Sequence, residues 1–342
     1  MILLYIAIAL LILVGTRINY KGFHVDYLSK EKTNAIKGVF LLLIVISHSF
    51  LYLINGGYEI TSFSDKVTRR IIIGMSQLVV VMFLFYSGYG IGESFKKKGE
   101  LYVNRMPTHR ILTTLLNFDV AVLFFAIVSL LLSIPFTGKQ FFLSFIAWDS
   151  LGNSNWYIFC ILLCYIISFI TLKFSKKQQE TVIITFALLI VTSLLLSVYK
   201  KPYWYNTMWA YGAGYAFSIY KTKIEGTIQA NYWLSLCLSI IIFVVLYNLN
   251  IDYRAIKYNL LSISFALMFV ITTMKVSLTN KVLIWIGGHL FPMYIYQRLP
   301  MIILQNQHKS FTVNYPVLFV AISLVVTIGI TYLYKYWRIS LR

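Results

Sequence analysis

The chain has 342 residues, of which 59% are hydrophobic and 12% charged, with a mean hydropathy of +0.76 and a formal net charge of +19. This composition excludes a soluble globular domain, and the polar loops are too short to house a soluble catalytic unit. The cations are scattered over many short loops with no basic domain or arm, which excludes a nucleic-acid partner and fits charges that anchor membrane helices.

Apolar runs recur at 1–16, 36–54, 71–92, 111–134, 156–172, 181–198, 204–220, 230–249, 258–274, 282–304 and 316–334. Each is near the roughly 17–25 residues that a bilayer requires. The expected fold is an all-α polytopic integral membrane bundle of ten to eleven transmembrane helices, a single membrane-embedded domain over 1–342. The run 1–16 has no basic residue ahead of it and no small-x-small cleavage site, so it reads as an uncleaved additional helix. Alternate loops divide the cations unevenly. One side collects Arg17, Lys21, Lys30, Lys32, Lys37, Lys96 to Lys98, Arg105, Arg110, Lys173, Lys176, Lys177, Lys221, Lys223, Lys275, Lys281, Lys335, Arg338 and Arg342, and the other about half as many. The richer side is expected to be cytoplasmic, which puts the N-terminus outside and the C-terminus inside.

The second run holds Lys37-Gly-Val-Phe-Leu-Leu-Leu-Ile-Val-Ile-Ser-His48. Eleven residues make almost three helical turns, so Lys37 and His48 share one face at a separation of about 16 Å. An ionisable group at membrane depth is costly and marks a site, although Lys37 also suits a snorkelling anchor. Asp119 lies about two turns into its run, where it must face the bundle interior and can orient His48 or pair with another helix. Lys96 to Lys98, Arg105 and Arg110 are positive-inside charges that also suit phosphate groups. Trp156 and Tyr157 suit an interfacial belt as well as a sugar platform.

Gly88, Gly90, Gly92, Gly212 and Gly214 read as close helix contacts. Pro292 and Pro300 should kink the tenth run and free backbone carbonyls. Arg298 near its outer end suits acceptor binding. Cys160, Cys164 and Cys237 all lie inside runs and carry no disulfide framework, and no metal-ligand spacing joins them. Phosphate-loop, serine-hydrolase and zinc-peptidase motifs are absent from the sequence, as is any repeat of fixed period.

The stretch Asn34-Ala-Ile-Lys37 through His48 resembles the first helix of acyltransferase family 3, an integral membrane O-acyltransferase family marked by Arg or Lys, ten residues, then His. Further resemblance follows in family order: Phe83-Leu-Phe-Tyr-Ser87-Gly88, the basic segment Arg105 to Arg110, Asn155-Trp156-Tyr157, and Ile286-Gly287 through Met293-Tyr294. It covers about residues 30–334. Three features depart from the family. Gln297 and Arg298 stand where a His is frequent, Arg105 and Arg110 are five apart rather than in an Arg-x-x-Arg motif, and the first run is extra.

The resemblance implies transfer of an acyl group, commonly acetyl, from cytoplasmic acyl-CoA to a hydroxyl of a surface polysaccharide or lipid-linked glycan, in a bacterial plasma membrane. Acyl-CoA would be a donor substrate and no cofactor would be permanently bound. His48 would serve as general base or as transient acyl carrier. Lys37, Arg105, Arg110, Asp119, Ser87, Trp156, Tyr157, Tyr294 and Arg298 would bind donor or acceptor. The competing class is a glycan or lipid-linked-sugar transporter with His48 and Asp119 lining its pathway.

Overall fold

The computed structural model describes residues 1–175, 177–249 and 254–341; Lys176 and Arg342, two of the cations assigned to the richer side, lie outside them. The described residues form a helical bundle carrying a two-stranded antiparallel sheet, β1 (Thr16–Ile18) with β2 (Val276–Leu278), in which Arg17 faces Ser277. Among the described residues, seven helices are long and apolar enough to cross a membrane, or up to eight if the bent pair α11 (Lys221–Ala230) and α12 (Tyr232–Asn248) is one span.

The expected ten to eleven crossings are not reached on helix length, because several apolar runs form short or interrupted helices. The first run is α1 (Ile2–Gly15), of 14 residues, and the run 204–220 yields only α10 (Trp209–Ile219), of 11 residues. The run 282–304 is split into α14 (Lys281–Gly288), α15 (Leu290–Tyr296) and α16 (Arg298–Gln307). Proline explains both interruptions. Pro292 and Pro300 lack the N–H that would bond the carbonyl four residues earlier, and the chain leaves regular helix at His289 and Gln297, just ahead of each ring.

The central helix α2 (Lys30–Asn55) begins at Ser29, whose Oγ accepts the Lys32 N–H. Glu31 in its first turn suits the positive end of the helix dipole. It then packs closely on α14: a Cβ on Gly38 would strike the Leu283 carbonyl, and one on Gly287 would strike the Asn34 carbonyl. The same device joins α4 (Leu78–Lys98) to α10. Gly88 meets the Tyr211 carbonyl, Gly214 meets the Phe85 carbonyl, and Gly92 meets the Ser218 side chain. Lipid is as apolar as a leucine side chain, so helices in a membrane associate through such close contacts rather than by expelling water.

Gly212 is also a close helix contact, against Leu189 and Phe186 of α9 (Gln178–Tyr199), whereas Gly90, read in the same way, meets nothing nearby among the described residues.

Candidate active site

The chain ahead of α6 (Thr113–Leu131) passes through α5 (Glu100–Met106) and then a wider turn of π-helix, Pro107–Leu112. This turn carries His109 and Arg110 to the mouth of a cavity of about 590 Å3, within the range of small-molecule sites. Five residues expected at the site line it together: Lys37 from α2, Ser87 from α4, Arg110, Tyr157 from α8 (Trp156–Phe174) and Tyr294 from α15. Arg110 also lies beside Tyr102 and Tyr165. His109, Asn117, His289, Tyr334 and Arg338 complete the wall at this end of the bundle. Among the described residues, the lining holds three cations and two imidazoles but no carboxylate. Such a surface favours an anionic ligand, phosphate above all.

The segment 334–341 follows α18 (Pro316–Leu333) and forms one wall of the cavity. Asn117 fastens it. Its Nδ2 donates to the Ile339 carbonyl (2.8 Å), and its Oδ1 accepts from the Ile339 N–H (3.0 Å) and the Tyr334 hydroxyl (2.8 Å). Trp337 Nε1 adds a bond to the Tyr296 hydroxyl (3.0 Å). Arg338 is thereby held over the cavity although it lies more than two hundred residues from Arg110 in sequence.

Deeper in the bundle, His48 lies beside Gln297 and Arg298, at the break between α15 and α16. Arg298 also faces Tyr52 and Tyr294. Tyr294 therefore belongs to both places, since it lines the cavity and neighbours Arg298. Its ring packs against Tyr157 at a centroid distance of 5.1 Å. Ser49, next to His48, reaches Met301 Sδ at 3.7 Å, which seats α2 against α16. Gln297 is fully buried, and its Nε2 donates to the Tyr294 carbonyl at 3.1 Å.

Polar atoms without a partner among the described residues gather here: His48 Nδ1, Gln297 Oε1, Arg298 Nε, the Tyr294 hydroxyl and Ser154 Oγ. Buried polar atoms are nearly always paired, and leaving them unpaired costs more in a bundle surrounded by lipid. A cluster of them is suited to receive a polar reacting group.

Several expectations are corrected by this geometry. Arg298 is not at the outer end of its span but at an internal helix break, against His48. Arg105 is exposed on α5 and does not line the cavity that Arg110, on the following π-turn, lines. Asp119 does not orient His48. It is half-buried on α6, and its Oδ1 has no hydrogen-bond partner among the described residues. Trp156 lies outside the cavity wall, with its ring against Tyr157 and Tyr203.

Asn117, His109, His289, Tyr334 and Arg338 were missed. Asn117 carries a legible signal, a carboxamide inside an apolar run; the others become neighbours only through tertiary packing. Lys37 has no carboxylate within ion-pair distance among the described residues.

The sequence pattern of acyltransferase family 3, described as an acyltransferase domain, matches residues 31–335, nearly the whole chain. No curated protein and no solved structure matches the chain. The match begins at α2, ahead of Lys37, and runs through α18, so it takes in both the cationic cavity and the His48 cluster. The chain belongs to acyltransferase family 3 and is a membrane acyltransferase.

Proposed function

We propose that the protein moves an acyl group, acetyl in the simplest case, from a coenzyme A thioester to a hydroxyl of a cell-surface glycan or of its lipid-linked precursor. In this reading the protein sits in the plasma membrane with its Lys37 end facing the cytoplasm. The observation that carries the proposal is the continuity at Tyr294, which joins a cationic cavity to His48 and Arg298. Lys37, Arg110 and Arg338 suit the phosphates of coenzyme A, and its long pantetheine arm suits a path inward past Tyr157 and Tyr294. Ser87, on the same wall, is a further donor contact.

At the inner end the acceptor hydroxyl gives its proton to the imidazole of His48, and its oxygen attacks the thioester carbonyl. Arg298 Nε, which has no protein partner, is available to the oxyanion that develops. The C–S bond then breaks and the thiolate takes the proton back from His48, leaving an ester and free coenzyme A. Transient acylation of His48 is the second route to the same products.

The test is thiol release from acetyl-CoA by the purified protein in lipid nanodiscs, with and without a glycan acceptor. Acceptor-dependent thiol release that disappears in His48→Ala supports the proposal. A folded wild-type protein that consumes no thioester but moves a sugar across a vesicle membrane would turn the reading to a transporter.

A further inference from the structure

A second cavity, of about 490 Å3, lies at the opposite end of the bundle from Lys37, between the segment after α7 (Gly138–Phe145) and the turn that follows α9. Helix α8 links the two ends. It starts beside this cavity at Trp156, and near its other end Lys173 donates to Asn104 Oδ1 (3.0 Å) on α5. Trp148, Tyr203 and Trp204 contribute rings to the lining, and among the described residues Lys139, Lys200 and Lys201 supply three cations against the single carboxylate of Asp149.

Lys200 is the unusual member. A lysine at a membrane surface normally extends its ammonium into water. This one folds back over Trp148 and Trp204, with Nζ 3.7 and 4.0 Å from the two ring centroids, and donates to the Trp148 carbonyl at 2.7 Å. One of three ammonium donors is thereby used. Partial burial pulls the Lys200 ammonium below the usual lysine range, and Asp149 opposes that only in part. Asp149 is itself engaged, because its Oδ1 accepts the Ser150 N–H at 2.8 Å. An anion in the cavity would restore the missing compensation.

The wall is fixed rather than floppy. Asn155 Nδ2 donates to the carbonyls of Ala147 (3.0 Å) and Asp149 (2.9 Å), and Gln140 Nε2 donates to that of Ser150 (2.7 Å). These bonds hold Ala147 at φ +57°, a left-handed conformation that a residue with a Cβ rarely adopts. In the same loop, Asn153 Nδ2 and Ser154 Oγ are buried without partners.

The rings also lead somewhere. From Trp204 they pass to Tyr203 (6.3 Å), Trp156 (6.0 Å), Tyr157 (6.3 Å) and Tyr294 (5.1 Å), which neighbours Arg298 beside His48.

We infer that this cavity binds a negatively charged saccharide unit of the acceptor, with the apolar face of the sugar on the half-buried ring of Tyr203 and its carboxylate or phosphate on Lys200 and Lys139. The inference rests on the reading that the acceptor is a glycan, and it adds a location and a charge. Aromatic faces take the C–H side of a pyranose, while lysines reward an acidic substituent with charge-assisted hydrogen bonds.

The test is binding of trigalacturonate, with maltotriose as neutral control, to the protein in phosphatidylcholine nanodiscs, followed by tryptophan fluorescence in the absence of donor. Trigalacturonate is expected to bind saturably and maltotriose far more weakly. Lys200→Gln should weaken trigalacturonate about tenfold, the scale of a lost charge-assisted bond. Lys139→Gln, at an exposed position that cannot disturb folding, should weaken it by a smaller factor. His48→Ala should bind as wild type does, which keeps this result separate from the fate of the acyl-transfer proposal. Equal binding of the two sugars, no saturable trigalacturonate binding, unaltered binding by both lysine variants, or displacement only by anionic lipid would each overturn the inference.

Discussion

Asn117 grips both backbone groups of Ile339, donating to its carbonyl at 2.8 Å and accepting from its N–H at 3.0 Å, so a carboxamide inside the bundle holds the segment 334–341 over the cationic cavity. Two such bonds at about 1 kcal/mol each are enough to decide whether a short segment lies down or lifts. Asn117→Ala is expected to free residues 334–341, seen as faster amide exchange there, and to raise the donor KM about tenfold by removing Arg338 from the wall. Unchanged exchange in that segment would show that the Trp337 bond to Tyr296 suffices to hold it.

The two arginines of the basic segment should separate cleanly. Arg110 lines the cavity and Arg105 does not. Arg110→Gln should raise the apparent KM for acyl-CoA by roughly tenfold with little loss of kcat, the signature of lost uniform binding. Arg105→Gln should leave donor kinetics within about twofold of wild type. Steady-state thiol release checks both, and equal effects would place the donor elsewhere.

Lys37 and His48 stand on one helix face at different depths, so their losses should differ in kind. His48→Ala or His48→Gln should lower turnover by about two orders of magnitude or more, the usual scale for losing an acid–base group. Lys37→Arg should retain most activity, and Lys37→Ala should raise the donor KM. Arg298→Met, beside His48, should lower kcat by about tenfold or more while the donor KM holds, since its side chain lies past the cavity. A pure KM effect for Arg298→Met would return it to substrate binding.

Helix contacts give a prediction that needs no substrate. Gly88→Ala and Gly214→Ala push a methyl into a facing backbone carbonyl, which cannot move as a flexible side chain does. Each should cost about 1–3 kcal/mol as overpacking does and lower the midpoint of thermal unfolding in detergent. Gly90→Ala meets open space and should stay within about 0.5 kcal/mol of wild type. A neutral Gly214→Ala would mean that α4 and α10 can separate without consequence.

The membrane class, most helix positions and the presence of Lys37 and His48 on one helix were legible because they depend on local properties: apolar run length, and the 3.6-residue repeat that fixes which side chains share a face. Pro292 and Pro300 were readable for the same reason, since a missing N–H breaks the helix wherever it sits.

What stayed hidden depends on which helices touch. The break at Gln297 turns Arg298 toward His48, so a residue that sequence position assigned to an outer end belongs to the centre. Arg110, on the π-turn Pro107–Leu112, lines the cavity, and Arg105, five residues earlier on α5, does not. Arg338 reaches that cavity only because Asn117 on α6 catches the Ile339 backbone. Sequence alone determined that polar groups lie at membrane depth and on which face of their own helix. Tertiary structure decided their partners, because contact between helices is set by small-residue packing and by backbone hydrogen bonds that span hundreds of residues and leave no periodic trace.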